Sequence, residues 1–114
     1  MGTQKTIDEG LSYTLENIAG VRQAIPGKQI AILEAGWATT AVEFADQASE
    51  ENQVRYYKEL GDWARAANVT VFFFEAFDEP WKGSPDPMEP EKHWGIFTVD
   101  RQPKLVMQEI YAHL

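Results

Sequence analysis

The hydrophobic positions of the chain first recur at helical spacing. Between residues 6 and 25 an apolar side chain returns at every third or fourth position, which predicts an amphipathic helix that stops at Pro26-Gly27. Thr6, followed three positions later by Glu9, predicts a capping box at the start of this helix. The apolar positions are Ile7, Leu11, Leu15, Ile18, Val21 and Ile25.

Two short apolar runs, 29–33 and 69–74, predict strands, and each run is followed by a carboxylate. Nearly continuous apolar runs of this length are typical of parallel strands buried on both faces. A second helix is predicted between them, with Ser49 as its N-cap and Asn68 as its left-handed end. Its apolar stripe consists of Val54, Tyr57, Leu60, Ala64 and Ala67. Two consecutive strands joined by a helix predict a parallel, right-handed β/α unit.

The remainder of the chain is richer in loops. The segment 80–90 carries four of the six prolines and predicts a long structured loop, and 93–98 predicts a small hairpin or an extended turn. Pro103 fits the first turn of a final helix. The apolar positions of that helix are Leu105, Val106, Ile110 and Leu114.

Composition restricts the class of protein. With 114 residues, of which 44% are hydrophobic, residues 1–114 predict one globular domain or less. The net charge of −8 argues against a nucleic-acid partner, because no basic patch is present to contact phosphates. The absence of cysteine excludes a thiol nucleophile. No signal peptide is expected at Met1–Lys5, and no apolar window reaches the ~18 residues of a transmembrane helix.

Candidate chemistry concentrates where the strands end. Glu34 and Glu75 follow the two strands, and the C-terminal edge of parallel strands is where β/α folds bind ligands. For Glu34 a carboxylate held by backbone N–H groups remains an equal alternative. Trp37, Trp81 and Trp94 fall beyond the strands and are candidate platforms for sugar rings, while Trp63 is expected to pack in the core. Carboxylates beside aromatic platforms favour carbohydrate chemistry.

Other chemistries find little support. His93 and His113 are far apart, and Ser84 has no plausible base, so neither a metal site nor a serine nucleophile is predicted. No metal and no cofactor are expected. The acidic residues Asp86, Glu89 and Glu91 match no calcium-loop spacing and predict a solvated loop.

Four segments together resemble glycoside hydrolase family 17, the β-1,3-glucan hydrolases and transglycosylases. Segment 32–37, with the sequence ILEAGW, is similar to the strand-seven motif of the family, and 73–82, FFEAFDEPWK, is similar to its strand-eight segment in bacterial members. The helix start at 48–57 and the stretch from His93 to Lys104 extend the likeness. Ala35 and Ala38 depart from the family pattern, as do Pro80-Trp81, and these changes leave linkage preference open.

The resemblance implies roles for individual residues. Glu34 would be the catalytic nucleophile that forms a covalent glycosyl-enzyme. Glu79 and Lys82 would match a supporting pair in the active-site cleft, with Lys82 keeping Glu79 ionised. Substrate contacts are assigned to Trp37, Glu75, Glu79, Trp81, Lys82 and Trp94.

The resemblance also implies a fold larger than this chain. The family fold is a (β/α)8 TIM barrel of ~250 residues, and the chain would supply its C-terminal portion, strands seven and eight with their helices. The family's general acid follows an Asn on strand four, and the chain contains no Asn-Glu. We therefore expect the isolated chain to be inactive.

Expected partners are a β-glucan oligo- or polysaccharide and the rest of the parent catalytic domain. The alternatives are a non-catalytic glucan-binding or assembly module, and a homo-oligomer that pairs exposed barrel edges. The resemblance implies a location in the cell envelope, periplasmic or membrane-associated.

Overall fold

The computed structural model describes residues 6–113, within which the predicted order of elements is confirmed. The expectations about Met1–Lys5 and Leu114 lie outside the described residues. The elements are α1 (Ile7–Ala24), β1 (Ala31–Ala35), α2 (Glu50–Ala67), β2 (Thr70–Phe73) and α3 (Leu105–Glu109), with a 3-10 turn at Pro90–Lys92.

Helix α1 begins as its sequence predicts, but it is buried over only part of its length. The Thr6 side chain accepts a hydrogen bond from the Glu9 N–H at 3.1 Å. Ile7 and Leu11 are buried, whereas Val21 and the C-cap residue Ile25 are exposed. The apolar positions of this helix are therefore buried only in part, because the sheet and α2 make core contacts only with the earlier turns of α1.

Helix α2 lies at the centre of the packing and agrees with its prediction. The Ser49 hydroxyl accepts a hydrogen bond from the Asn52 N–H at 3.0 Å, and Asn68 closes the helix with a left-handed φ of 57°. The helix packs on α1, β2 and α3. Its Tyr57 ring stacks on Phe73 of β2 at 4.0 Å between centroids, and Leu60 is fully buried beneath the sheet.

Strands β1 and β2 pair in parallel, as predicted, but only one face of their sheet is covered. Ala31 aligns with Thr70 and Ile32 with Val71, and the register shifts before Ala35. Leu33 is 72% exposed and Phe72 is 56% exposed on the open face. The prediction of burial on both faces is wrong for residues 6–113, because the helices all pack on the other face.

The segment after the long loop is extended. Phe97 bridges both Phe77 and Pro103, so the extended turn describes 93–98 better than the hairpin does. Pro103 lies outside α3, which is a correction: its bridge to Phe97 keeps it extended, and Lys104 is the N-cap. Val106 is the fully buried residue of this short helix.

Within residues 6–113, none of the helices combines the length and the apolar character needed to cross a bilayer.

Candidate active site

The C-terminal ends of the two strands meet at one edge of the sheet. The Phe74 N–H donates to the Ala35 carbonyl at 2.7 Å and continues the pairing beyond β2. Gly36 lies against the next turn of chain so closely that a Cβ there would fall 2.0 Å from the Phe74 carbonyl oxygen. Only glycine permits this approach, which brings the residues that follow β1 next to those that follow β2.

An open cleft of about 580 Å³ lies at this edge. Its lining includes Glu34, Trp37 and Phe74 at the strand ends, Trp94 from the segment after the 3-10 turn, and Tyr13 from α1. Glu34 is exposed, and within residues 6–113 no backbone N–H holds its carboxylate. Of the two readings of Glu34 that the sequence left open, the structure therefore supports a carboxylate accessible from the cleft.

The three candidate tryptophans differ in how firmly they are held. Trp37 is half-buried, and its indole N–H donates to the Gln47 carbonyl at 2.8 Å. Trp94 is also half-buried and meets Phe74 edge-on at 6.3 Å between centroids. Trp81 is 70% exposed and stands outside the lining of the cleft. Trp63 packs against the core, as predicted.

Two carboxyls and a lysine form a cluster directly after β2. Lys82 Nζ lies 2.6 Å from Glu79 Oε1 and 3.7 Å from Glu75 Oε1. The same ammonium group sits 4.8 Å from the centroid of the Phe74 ring, which lines the cleft. The cluster therefore adjoins the cleft that contains Glu34.

The pKa values of the two carboxyls in this cluster are shifted in opposite directions. Burial, followed by the hydrogen bond and negative charge of Glu79, raises the pKa of Glu75 to about 7. The hydrogen bond from Glu75, followed by the one from Lys82, lowers the pKa of Glu79, which is the direction expected for a carboxyl beside Lys82. The buried Glu75 Oε2 has no hydrogen-bond partner among the described residues. The raised pKa of Glu75 therefore favours a carboxyl that can donate a hydrogen bond to Glu79.

Buried polar side chains fix the loops around the cluster, and the sequence did not identify them. Lys104 Nζ donates at 2.8 Å both to Asp78 Oδ1 and to the Thr39 hydroxyl. Asp78 in turn accepts from the Gly95 N–H at 2.9 Å. Gln53 of α2 donates to the carbonyls of Trp37 and Gly95. The sequence feature that could have indicated these contacts is the concentration of acidic residues after β2, where three fall within five positions.

The acidic loop residues follow this cluster along the chain, and one of them, Glu91, also lines the cleft. Ser84 donates to Glu89 at 3.0 Å, and Asp86 and Glu91 are exposed. In the part of the chain from 6 to 113, no three His, Cys, Asp or Glu side chains converge as a metal site would require.

Known proteins are similar to this chain in sequence and in fold. A family model described as the BtgE/BtgC glycoside hydrolase domain matches residues 2–95. A glucan 1,3-beta-glucosidase of Arthroderma benhamiae is 34% identical in an alignment 113 positions long, which covers 88% of this chain and 37% of that protein. An endo-laminarinase from Formosa superposes with a TM-score of 0.76 at 26% identity, over 94% of this chain and 30% of its own.

A further solved relative is the family 17 β-1,3-glucanosyltransferase of Rhizomucor miehei. It superposes with a TM-score of 0.75 at 31% identity, over 88% of this chain and 36% of its own. Its active-site mutant was solved in complex with laminaritriose. The chain thus spans about a third of the length of these relatives. Because the solved neighbours are TIM-barrel enzymes, the prediction of a piece of a (β/α)8 barrel is confirmed.

Proposed function

The chain belongs to the BtgE/BtgC glycoside hydrolase domain family, and from that premise we propose that it forms the nucleophile side of a retaining β-1,3-glucan hydrolase or transglycosylase site. The resemblance to family 17 enzymes is confirmed by its relatives. The observation that carries the proposal is the exposed Glu34 carboxylate in an aromatic-lined cleft, beside the Glu75, Glu79 and Lys82 cluster.

Glu34 has the surroundings that a glycosidase nucleophile needs. Its carboxylate reaches the cleft from the end of β1, where a sugar ring can approach it. Trp37 is fixed by its hydrogen bond to Gln47, and so offers a rigid wall beside that carboxylate. In the proposed reaction Glu34 attacks the anomeric carbon and the leaving sugar departs with a proton from a general acid.

The cluster after β2 is suited to binding hydroxyl groups. Ionised Glu79 accepts hydrogen bonds and Lys82 donates them, while Glu75 can do either near neutral pH. The exposed indole of Trp81 extends this surface away from the cleft, where it can stack on a further sugar unit. We assign the binding of neighbouring glucosyl units to these four side chains.

The proposal includes inactivity of the isolated chain, because the leaving oxygen has no evident proton donor. Glu79 is ionised, and the proton on Glu75 is engaged with Glu79. We propose that the rest of a barrel supplies the acid and that the uncovered sheet face, with Leu33 and Phe72, lies against it. The location in the cell envelope remains a prediction.

Binding is tested by titrating the chain with laminaritriose, followed by calorimetry and amide chemical shifts. We expect shifts at Trp37 and Trp94, and an affinity about fivefold weaker for Trp81→Ala, since a stacked ring contributes of the order of 1 kcal/mol. Phe72→Ala is the matched control, an exposed aromatic residue on the open sheet face, and should bind like the parent chain. Absence of any heat or shift would refute the sugar site.

Catalysis is tested separately by measuring reducing sugar released from laminarin. We expect none from the isolated chain. Release that is abolished by Glu34→Gln would contradict the predicted inactivity, and loss with Glu75→Gln would then assign the proton donor to Glu75. Binding without turnover agrees with this proposal and also with the second candidate, a non-catalytic glucan-binding or assembly module, for this chain on its own.

A further inference from the structure

Lys92 is a buried lysine whose partners are backbone carbonyls. Its ammonium group donates to the Pro80 carbonyl at 3.0 Å and also to the Lys82 carbonyl. Among residues 6–113 it forms no ion pair with a carboxylate, although a buried charge is costly unless it is hydrogen-bonded. The backbone carbonyl of Lys92 also accepts the Glu79 N–H at 3.2 Å.

All three contacts fall on one four-residue turn. Residues 79–82 form that turn, which the Lys82 N–H closes by donating to the Glu79 carbonyl at 3.0 Å. The side chains of the turn include Glu79, Trp81 and Lys82, three of the residues assigned to sugar binding. Lys92 thus forms hydrogen bonds at both ends of a turn, and most residues of that turn are assigned to sugar binding.

The position of the turn determines whether the cluster forms. From the fixed backbone, the Lys82 side chain passes over the Phe74 ring and pairs with Glu79 at 2.6 Å. Its distance to Glu75 is already 3.7 Å, so a displacement of the turn by about 1 Å would end that interaction. Functional side chains need such support, because hydrogen-bond energy falls steeply with distance and angle.

We propose that Lys92 is a positioning residue that holds the 79–82 turn in the one conformation where Glu79 and Lys82 pair beside Glu75. The proposal rests on the proposed function, since the site it organises is the one assigned to glucan. Lys92 itself touches no sugar in this scheme. It acts through the backbone carbonyls of Pro80 and Lys82.

The direct test is Lys92→Met, which removes the ammonium group and keeps the length of the side chain. The readout is the titration of the Glu75 carboxyl, followed by carbon NMR in the full chain. The groups that surround Glu75 are Glu79, Lys82 and Asp78 from its own loop, and the Tyr57 hydroxyl from α2. If the turn relaxes, Glu75 loses Glu79 as a partner and gains water, so its pKa should fall by about one pH unit or more.

Lys58→Met is the matched control. Lys58 lies on the exposed side of α2, where it pairs with Asp62 at 3.2 Å. The same change of charge and side chain there should leave the Glu75 titration unaltered. A merely structural role for Lys92 would lower the melting temperature without moving this titration in the folded protein.

The affinity for laminaritriose supplies the second readout. We expect it to weaken about tenfold in Lys92→Met, because Glu79 and Lys82 no longer present a paired surface, and to stay unchanged in Lys58→Met. If the parent chain binds no sugar, the proposed function fails while the Glu75 titration still decides the role of Lys92. A folded Lys92→Met chain with the parent titration and affinity would overturn the inference.

Misfolding of the methionine variant would not end the test. Lys92→Gln retains a donor for one of the two carbonyls and should show an intermediate Glu75 pKa. Unfolding of both variants would assign Lys92 to the stability of the whole fold and overturn a local positioning role.

Discussion

Two regions of this molecule are held together by different forces. The first region, the frame, comprises α1, β1, α2, β2 and α3 and is joined by apolar contacts centred on Leu60, Tyr57 and Val106. The second region, the rim, comprises residues 75–104 and contains no long regular element. Two buried lysines hold the loops of the rim in place. Lys92 donates to a backbone carbonyl, and Lys104 donates to the Asp78 carboxylate.

The comparison indicates that the frame supplies most of the stability, whereas the rim sets the geometry of the site. Apolar packing is non-directional and is roughly proportional to the area removed from water, so the frame tolerates small shifts. Hydrogen bonds to buried charges are directional and costly to leave unmade, so the rim has few alternative conformations. A binding surface made from loops needs this second kind of support, and the site residues after β2 all lie in the rim.

The largest effect is expected from Leu60→Ala in the frame. Leu60 is 1% exposed and contacts the central cluster, so truncation should lower the free energy of unfolding by about 3 kcal/mol. Urea denaturation followed by circular dichroism measures this loss. A loss below about 1 kcal/mol would mean that the frame does not depend on apolar packing at α2.

A smaller loss of about 2 kcal/mol is expected from Lys104→Met in the rim. The substitution leaves the largely buried Asp78 carboxylate with the Gly95 N–H as its remaining partner. The double variant Asp78→Asn/Lys104→Met should recover part of the loss, because no charge is then left unpaired. Additive losses in this double-mutant cycle would show that the pair is not coupled.

Among the residues of the rim, Glu75 should contribute most to the pH dependence of the free energy of unfolding. Its pKa is about 7 in the folded protein against an ordinary 4.5, so between these values the folded chain binds more protons than the unfolded chain. This contribution to stability is complete below about pH 4.5 and is lost as the pH rises through about 7. Glu79 acts in the opposite sense, since its lowered pKa adds stability that is lost as the pH falls through its folded value.

Free energies of unfolding at about pH 5 and about pH 8 measure the Glu75 effect. Glu75→Gln should remove most of the decrease between these two conditions, because the amide imitates the protonated acid. Glu16→Gln, on the exposed side of α1, should keep the parent pH dependence. An unchanged slope in Glu75→Gln would show that another group is responsible.

The smallest effect on stability is expected from Leu33→Ser on the open face of the sheet. Leu33 is so exposed that its replacement should change the free energy of unfolding by no more than about 0.5 kcal/mol. It should instead reduce self-association, measured by light scattering at high concentration, since Leu33 and Phe72 expose apolar surface together. A loss as large as that of Leu60→Ala would show that this face is packed in solution.

Much of the frame could be predicted from residue spacing alone. The caps at Thr6 and Ser49 and the left-handed Asn68 were correct because each depends on local backbone geometry. The burial of Val21 and Leu33 was predicted wrongly, because spacing records which residues can be buried and not which neighbours are present to cover them.

The candidate site, like the frame, could be predicted only in part from the sequence. Its residue types and their places at the strand ends followed from the sequence, and Glu34 was found where a cleft opens. The proton on Glu75 could not be predicted, since it depends on a carboxyl four positions away being folded back beside it. The contacts of Lys92 and Lys104 were also missed. Lys92 donates to backbone carbonyls, which every residue carries, and Lys104 donates to Asp78 and Thr39, which are far from it in the chain, so neither contact leaves a pattern in the sequence.

The sequence by itself determined the order of the elements, the parallel pairing and the family, because these depend on local spacing and on side-chain types in order along the chain. Only the tertiary structure decided which face of the sheet is covered, which carboxyl holds a proton and which lysines are buried. Those outcomes depend on contacts between residues that are far apart in the chain. Their energies come from desolvation and from distances that no single segment encodes.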